Sequence, residues 1–178
     1  MSTATKLTYE DYVLMPDDGQ RHELIDGELF VVPAPNHPHQ RTVVRLAHLL
    51  ASWLDAHRGG EVIVAPFDVI LSPTDVVQPD LLFVSDRNAQ RIERRGVVGA
   101  PDLVVEILSN SNRRRDEVTK RALYERFGVP EYWLIDPDER TVTVLRLSDG
   151  RYSVVEGETL TSPLLPGLEI SLTSIFTI

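Results

Sequence analysis

The chain has 178 residues, of which 42% are hydrophobic and 25% charged, the profile of one ordinary globular domain spanning 1–178 rather than a fibrous or disordered chain. It contains no cysteine, which removes disulfides, thiolate zinc sites and a cysteine nucleophile, so any metal has to be held by oxygen or histidine. There is no basic leader with an apolar core and no apolar run approaching about 18 residues, so a cytoplasmic protein that does not enter a membrane is expected.

The net charge of −9 argues at first against a nucleic-acid partner, because phosphate binding is driven by Lys and Arg. The distribution softens that. Residues 87–121 hold nine Lys and Arg against five Asp and Glu, a local +4 that leaves −13 for the rest of the chain. Arg113, Arg114 and Arg115 are the densest part of it and are candidate phosphate contacts; a solvated helix face is the competing reading.

In chain order, Leu7–Tyr12 reads as a short helix with Thr8 as N-cap, ending near Pro16 and Asp17-Asp18-Gly19. His22–Val32 reads as a hairpin turning at Asp26-Gly27. Val43, Leu46, Ala47, Leu50, Trp53 and Leu54 recur at helical spacing, predicting a long helix over Pro38–His57 that stops at Gly59-Gly60. Strands are expected at Val62–Ala65, Asp68–Leu71 and Leu81–Val84, then a polar helix fragment and loop over Arg87–Gly99. Leu103–Leu108 predicts a strand, Asp116–Phe127 a helix with Asp116 as N-cap, and Tyr132–Ile135 a strand; a series of this length implies a parallel pair with a right-handed crossover. A hairpin of Thr141–Leu147 and Arg151–Val155 around Asp149-Gly150 completes the sheet. The fold class is α/β (α+β mixed sheet), a central mixed sheet flanked by helices.

Glu106 stands out because it lies in Val104-Val105-Glu106-Ile107-Leu108, a strand apolar on both faces, where an ionised carboxylate needs compensation. Asp80 precedes a similar strand, and if the two are neighbours the carboxylates converge across about 5 Å, close enough to hold one cation. The loop after Glu106 is short, so the next helix runs back along the strand and brings Lys120 level with it. Two carboxylates holding Mg²⁺ or Mn²⁺ beside a lysine form a site for phosphodiester hydrolysis. The competing reading is a buried salt bridge between Lys120 and Glu106 that serves only to satisfy both.

Other acids and histidines are weaker candidates. Glu23 and Glu28 in the first hairpin read as surface residues, and His37 and His39 at the start of the long helix as capping or exposed; Glu28 and His39 stand as accessory candidates. Asp102 and Asp136 read as turn formers, and Tyr132 and Trp133 as core. No glycine-rich phosphate loop, nucleophile elbow or dinucleotide fingerprint is present.

Arg21-His22-Glu23-Leu24-Ile25-Asp26-Gly27-Glu28-Leu29, His39, Gln78-Pro79-Asp80-Leu81, Pro101 through Ser109, Arg115-Asp116 with Lys120 and Tyr124, and Gly128 through Pro137 follow one another in an order that resembles the Uma-two family of restriction-endonuclease-like proteins. The resemblance covers nearly the whole chain. It implies the PD-(D/E)xK nuclease superfamily: a restriction-endonuclease-like core, divalent-metal dependence, and hydrolysis of nucleic acid, DNA first among the substrates. Mapped onto this chain, Asp80 is the first acid and Glu106 the second. Leu108 occupies the place, two residues after Glu106, where the superfamily carries lysine; the similar family solution moves that lysine to the next helix, where Lys120 stands. The alternative is a catalytically silent member of the fold, acting as a dimeric nucleic-acid-binding or interaction module. A homodimer is compatible with both readings.

Overall fold

A computed structural model describes residues 6–177. Thr8 opens the first helix, α1 (Tyr9–Val13), through a capping box in which its hydroxyl accepts from the Asp11 N–H while the Asp11 carboxylate accepts from the Thr8 N–H. The hairpin follows as β1 (Arg21–Ile25) and β2 (Glu28–Val32). Asp26 and Gly27 turn it with φ of 52° and 77°, the positive pair that a two-residue hairpin loop requires. The long helix is α2 (His37–His57), capped by the Asn36 side chain, which accepts from the His39 N–H. Its buried stripe of His39, Thr42, Leu46, Leu50 and Leu54 has helical period, which is why the sequence pattern was legible.

Strands β3 (Gly60–Val64), β4 (Asp68–Ser72), β5 (Asp75–Val77) and β6 (Leu81–Ser85) come next, then a 3₁₀ turn over Asp86–Arg91 and β7 (Gly96–Val98). Strands β5 and β7 were not expected from the sequence. Each is three residues long, too short to show an alternation, and exists because a neighbour supplies the ladder: β4 pairs with both.

Strand β8 (Leu103–Ile107) is buried at every position. After it the chain becomes helical at Arg113, three residues before the expected start. A π-type turn over Arg115–Lys120 runs directly into α3 (Arg121–Arg126). Asp116 is therefore not an N-cap; it lies within the helix, its own N–H bonded to the Asn112 carbonyl and its carboxylate buried. Its charged partner is Lys120, one turn on in the same helical stretch, and both side chains are buried.

Strand β9 (Glu131–Asp136), fully buried, pairs parallel with β8 as the crossover required, and β10 (Thr141–Ser148) and β11 (Arg151–Val155) form the expected hairpin. The tail adds β12 (Thr159–Ser162), β13 (Leu165–Ser171) and α4 (Leu172–Phe176).

Two mixed sheets result. Six strands run in the order β11-β10-β9-β8-β6-β3, and five in the order β2-β1-β5-β4-β7. One face of the six-stranded sheet packs Leu103, Val105 and Ile107 against α2 and the tail. The other packs Val104 and Leu108 against Leu123, Tyr124 and the five-stranded sheet. The alternation along β8 is thus divided between two cores, and Glu106 belongs by register to the second. Among the described residues no helix is long and apolar enough to cross a membrane.

Candidate active site

The two acids meet because β6 and β8 are antiparallel neighbours. Leu81 opposes Val105, so the next step of the register sets Asp80, just ahead of β6, beside Glu106. Asp80 Oδ2 accepts a hydrogen bond from the Ile107 N–H at 2.8 Å, continuing the ladder with a side chain where the strand has ended. His39, from the first turn of α2, places Nε2 3.0 Å from the same oxygen.

Glu106 points into the second core, where Lys120 arrives from the π-type turn. Lys120 Nζ lies 2.8 Å from Glu106 Oε1, 2.7 Å from Glu23 Oε1 and 3.6 Å from Asp116 Oδ1, with the side chain only 5% exposed. The Tyr124 hydroxyl donates to Glu106 Oε1 at 2.9 Å, and the Gln78 N–H donates to Glu23 Oε1 at 3.0 Å. Spacing explains the helical contribution. Asp116, Lys120, Leu123 and Tyr124 fall on one side of the helix, and a widened π turn is a recurrent way to aim side chains at a functional centre.

The electrostatics follow from burial. Four buried carboxylates, Glu23, Asp80, Glu106 and Asp116, surround one ammonium and one imidazole, leaving an excess of negative charge. Burial pushes Glu106 well above the usual carboxylate range; Lys120 opposes the rise, and Asp116, Asp80 and Glu23 add to it. Asp116 is pushed up to about 6, again by burial first, with Lys120 opposing and Glu23 and Asp80 adding. For Lys120 burial alone would lower the value, but Glu106, Glu23 and Asp116 outweigh it and raise it, so the ammonium stays protonated at neutral pH. Burial and the charge of Glu106 likewise raise Tyr124, which keeps its proton and acts as a donor.

Glu23 is the residue sequence reasoning missed. Expected on the surface, it is fully buried, because β1 is the inner strand of the hairpin and turns Glu23 toward Lys120. The signal was available: Glu23 precedes Leu24 and Ile25 in a strand, an acid among buried positions as Glu106 is. His39 also departs from expectation, being buried against Asp80 rather than capping or exposed. Glu28, the other accessory candidate, is exposed at the start of β2, outside the cluster, because it lies on the outer strand of the hairpin.

The basic triplet does not present three free charges. Arg113 is tied to Asp136 and Glu117, and Arg115 stacks on the Phe30 ring at 4.9 Å, leaving Arg114 exposed. Asp136 is a turn former as read, accepting from the N–H groups of Asp138 and Glu139, whereas Asp102 ties its strand to the end of β6, accepting from the Ser85 N–H and the Asn88 amide.

Among the described residues no cluster of three or more His, Asp or Glu closes on one point as a ready cation cage. The donor set nevertheless suits a hard divalent ion. Mg²⁺ and Mn²⁺ accept one or two carboxylates and fill the remaining positions with water and phosphate oxygen. Glu23 Oε2, buried and without a hydrogen-bond partner among the described residues, is a further oxygen in the same cluster.

Two mixed sheets flanked by helices, the larger with a parallel β8–β9 pair at its centre, make this a mixed α/β protein of the restriction-endonuclease-like fold. The fold is also that of a crystal structure described as a "putative nuclease belonging to DUF820" from Anabaena variabilis ATCC 29413, with TM-score 0.80 and 21% identity over 96% of this chain and 97% of that one. A family profile described as "Uma2: Putative restriction endonuclease" matches residues 9–173, and the chain belongs to that family. No curated protein matches it.

Proposed function

We propose that the protein is a divalent-metal-dependent endonuclease that hydrolyses phosphodiester bonds in nucleic acid, with DNA the first substrate to test. The observation that carries this reading is the convergence of Asp80, Glu106 and Lys120 in one buried cluster with more carboxylates than cations. Membership of a family described as "Putative restriction endonuclease" supports the same reaction class.

Asp80 and Glu106 would hold Mg²⁺ or Mn²⁺, with Glu23 the third oxygen source. When bound, such an ion neutralises charge on the phosphate and acidifies a coordinated water. Lys120 remains protonated and supplies a fixed positive charge and up to three N–H donors. Two of those donors are engaged by Glu23 and Glu106, which leaves the third for a phosphate oxygen or an attacking water. Tyr124 and Gln78 are positioning residues, the first fixing Glu106 and the second fixing Glu23. His39 holds the orientation of Asp80 from the α2 side.

The test is cleavage of plasmid DNA and labelled RNA by purified protein with Mg²⁺ or Mn²⁺, beside Glu106→Gln and a metal-free control. Metal-dependent cleavage lost in Glu106→Gln is the expected result. Absence of cleavage of either polymer, or a fully active Glu106→Gln, overturns it. One observation favours a silent member of the fold: Lys120 already has carboxylate partners, as a purely structural ion cluster would require. That reading predicts no metal binding by calorimetry. Homodimerisation belongs to the proposal and is read by sedimentation.

A further inference from the structure

The exposed face of α2 carries a second basic feature, distinct from the Arg113–Arg115 triplet. Two surface cavities, of about 500 and 340 Å³, share His37 and Arg41 in their walls. The first continues along the helix past Val44, Arg45 and His48, and the second is closed by Arg140 in the turn between β9 and β10. Asp138 is the only carboxylate residue among the lining residues of the two. In a chain of net charge −9 this is a local concentration of positive charge.

None of Arg41, Arg45 and Arg140 forms an ion pair among the described residues. Arg41 donates to the Phe176 carbonyl at 2.7 Å and Arg45 to the Ser174 carbonyl at 2.8 Å. A guanidinium has five N–H donors, so each is oriented by one neutral contact and keeps its charge and most of its donors for something else. Val44, 68% exposed between them, gives the groove an apolar floor.

The groove starts at the end of α2 that carries His39 and faces away from the candidate active site. His39 reaches Asp80 from the opposite, buried side of α2, and the second cavity is walled by Pro137 and Asp138, which follow the end of β9 where Ile135 pairs with Ile107. From His37 to His48 the helix rises about 16 Å, the length of about five base-pair steps along a duplex axis at about 3.4 Å each.

We infer that this groove binds the phosphate backbone of the nucleic acid at a distance from the scissile bond, with Arg41, Arg45 and Arg140 as its contacts. The inference rests on the nuclease reading above. A second copy of the chain is the poorer occupant, since an isologous contact would set cations against cations.

The test is fluorescence anisotropy of a short labelled DNA duplex, and of its single strand, in EDTA so that no cleavage occurs, between about 50 and 200 mM salt. The variants are Arg140→Asn, the pair Arg41→Gln with Arg45→Gln, and Arg151→Gln on the edge strand β11 as a control. Asn tolerates the positive φ of 56° at position 140, and Arg140 makes no hydrogen bond among the described residues, so this variant remains informative if the pair fails to fold. The slope of log K against log salt should fall by about one for each cation removed, with about eightfold weaker binding per contact at about 0.1 M salt, and stay at the parent value in the control. Parent-like binding by both groove variants overturns the groove while leaving the nuclease reading intact. If the parent binds neither duplex nor single strand, both fall. If polyglutamate competes with DNA at equal charge concentration, the occupant is an acidic protein segment and the assignment to nucleic acid is overturned.

Discussion

Replacing Lys120 by Met removes the one ammonium in the cluster and keeps the aliphatic stem. Glu23 and Glu106 lose a partner at 2.7 and 2.8 Å, and Asp116 loses a charge at 3.6 Å, with none of the three more than 3% exposed. Breaking a buried pair from one side costs about 3–5 kcal/mol. The size can also be approached through the proton. If one further carboxyl of ordinary value near 4.3 must be protonated in the folded state, the cost at 1.36 kcal/mol per pH unit is about 5 kcal/mol at pH 8 and about 1 kcal/mol at pH 5. The two routes agree near neutral pH, and the second adds a signature: the deficit grows as pH rises. The assay is urea unfolding of parent and variant in EDTA at several pH values, repeated with Mg²⁺ and Mn²⁺. A divalent ion that takes over the role of the ammonium should stabilise the variant more than the parent, by about 2.7 kcal/mol for a concentration a hundredfold above its Kd. A variant in EDTA within about 1 kcal/mol of the parent at pH 8, with no trend in pH, refutes the reasoning, because the carboxylates would then not depend on Lys120.

Leu108 tests whether the lysine is movable, since it shares the face of β8 that carries Glu106. Leu108→Lys placed in the Lys120→Met background should recover about 1–3 kcal/mol relative to the sum of the two single changes, read by a double-mutant cycle; strict additivity would show that position 108 cannot serve Glu106. Glu23→Gln removes one charge from an over-acidic cluster while an amide oxygen can still accept from Gln78 and Lys120. It should leave stability unchanged or raised by up to about 1 kcal/mol and weaken divalent-ion affinity measured by calorimetry. A loss above about 2 kcal/mol with ion affinity intact would make Glu23 purely structural. At Asp136 burial acts to raise the value, but the Glu139 N–H, Arg113 and the Asp138 N–H outweigh it and hold the carboxyl below its ordinary range. The stability this confers is present above the unfolded value near 3.9 and is lost as pH falls through the lower folded value. The lead of the parent over Asp136→Asn in acid titrations of stability should therefore shrink below about pH 4; a constant or widening lead contradicts the assignment.

Much of the molecule was legible in the chain because its signals are local. Thr8 as a cap, Asp26-Gly27 as a hairpin turn, the 3.6-residue stripe of α2 and the two-sided apolar run of β8 each specify a conformation through neighbours a few residues away. The parallel pairing of β8 with β9 followed from the connecting helix, and the placement of Lys120 followed from the short loop before it. Strands β5 and β7 were hidden because three residues carry no period and their hydrogen bonds come from β4.

The charged residues divide along the same line. That Glu106 required a compensating partner was fixed by its own strand, since a carboxylate between apolar neighbours is costly wherever that strand is buried. Which other groups share its site with Lys120 was a tertiary matter. Glu23 approaches from a hairpin more than eighty residues away, His39 from the first turn of α2, and Asp116 stands inside the helix rather than at its cap. A carboxylate on a strand and a carboxylate on the surface look alike in one dimension. Only the packing of the five-stranded sheet and α3 against β8 decides which of them loses water, and desolvation is what turns an acid into part of a site.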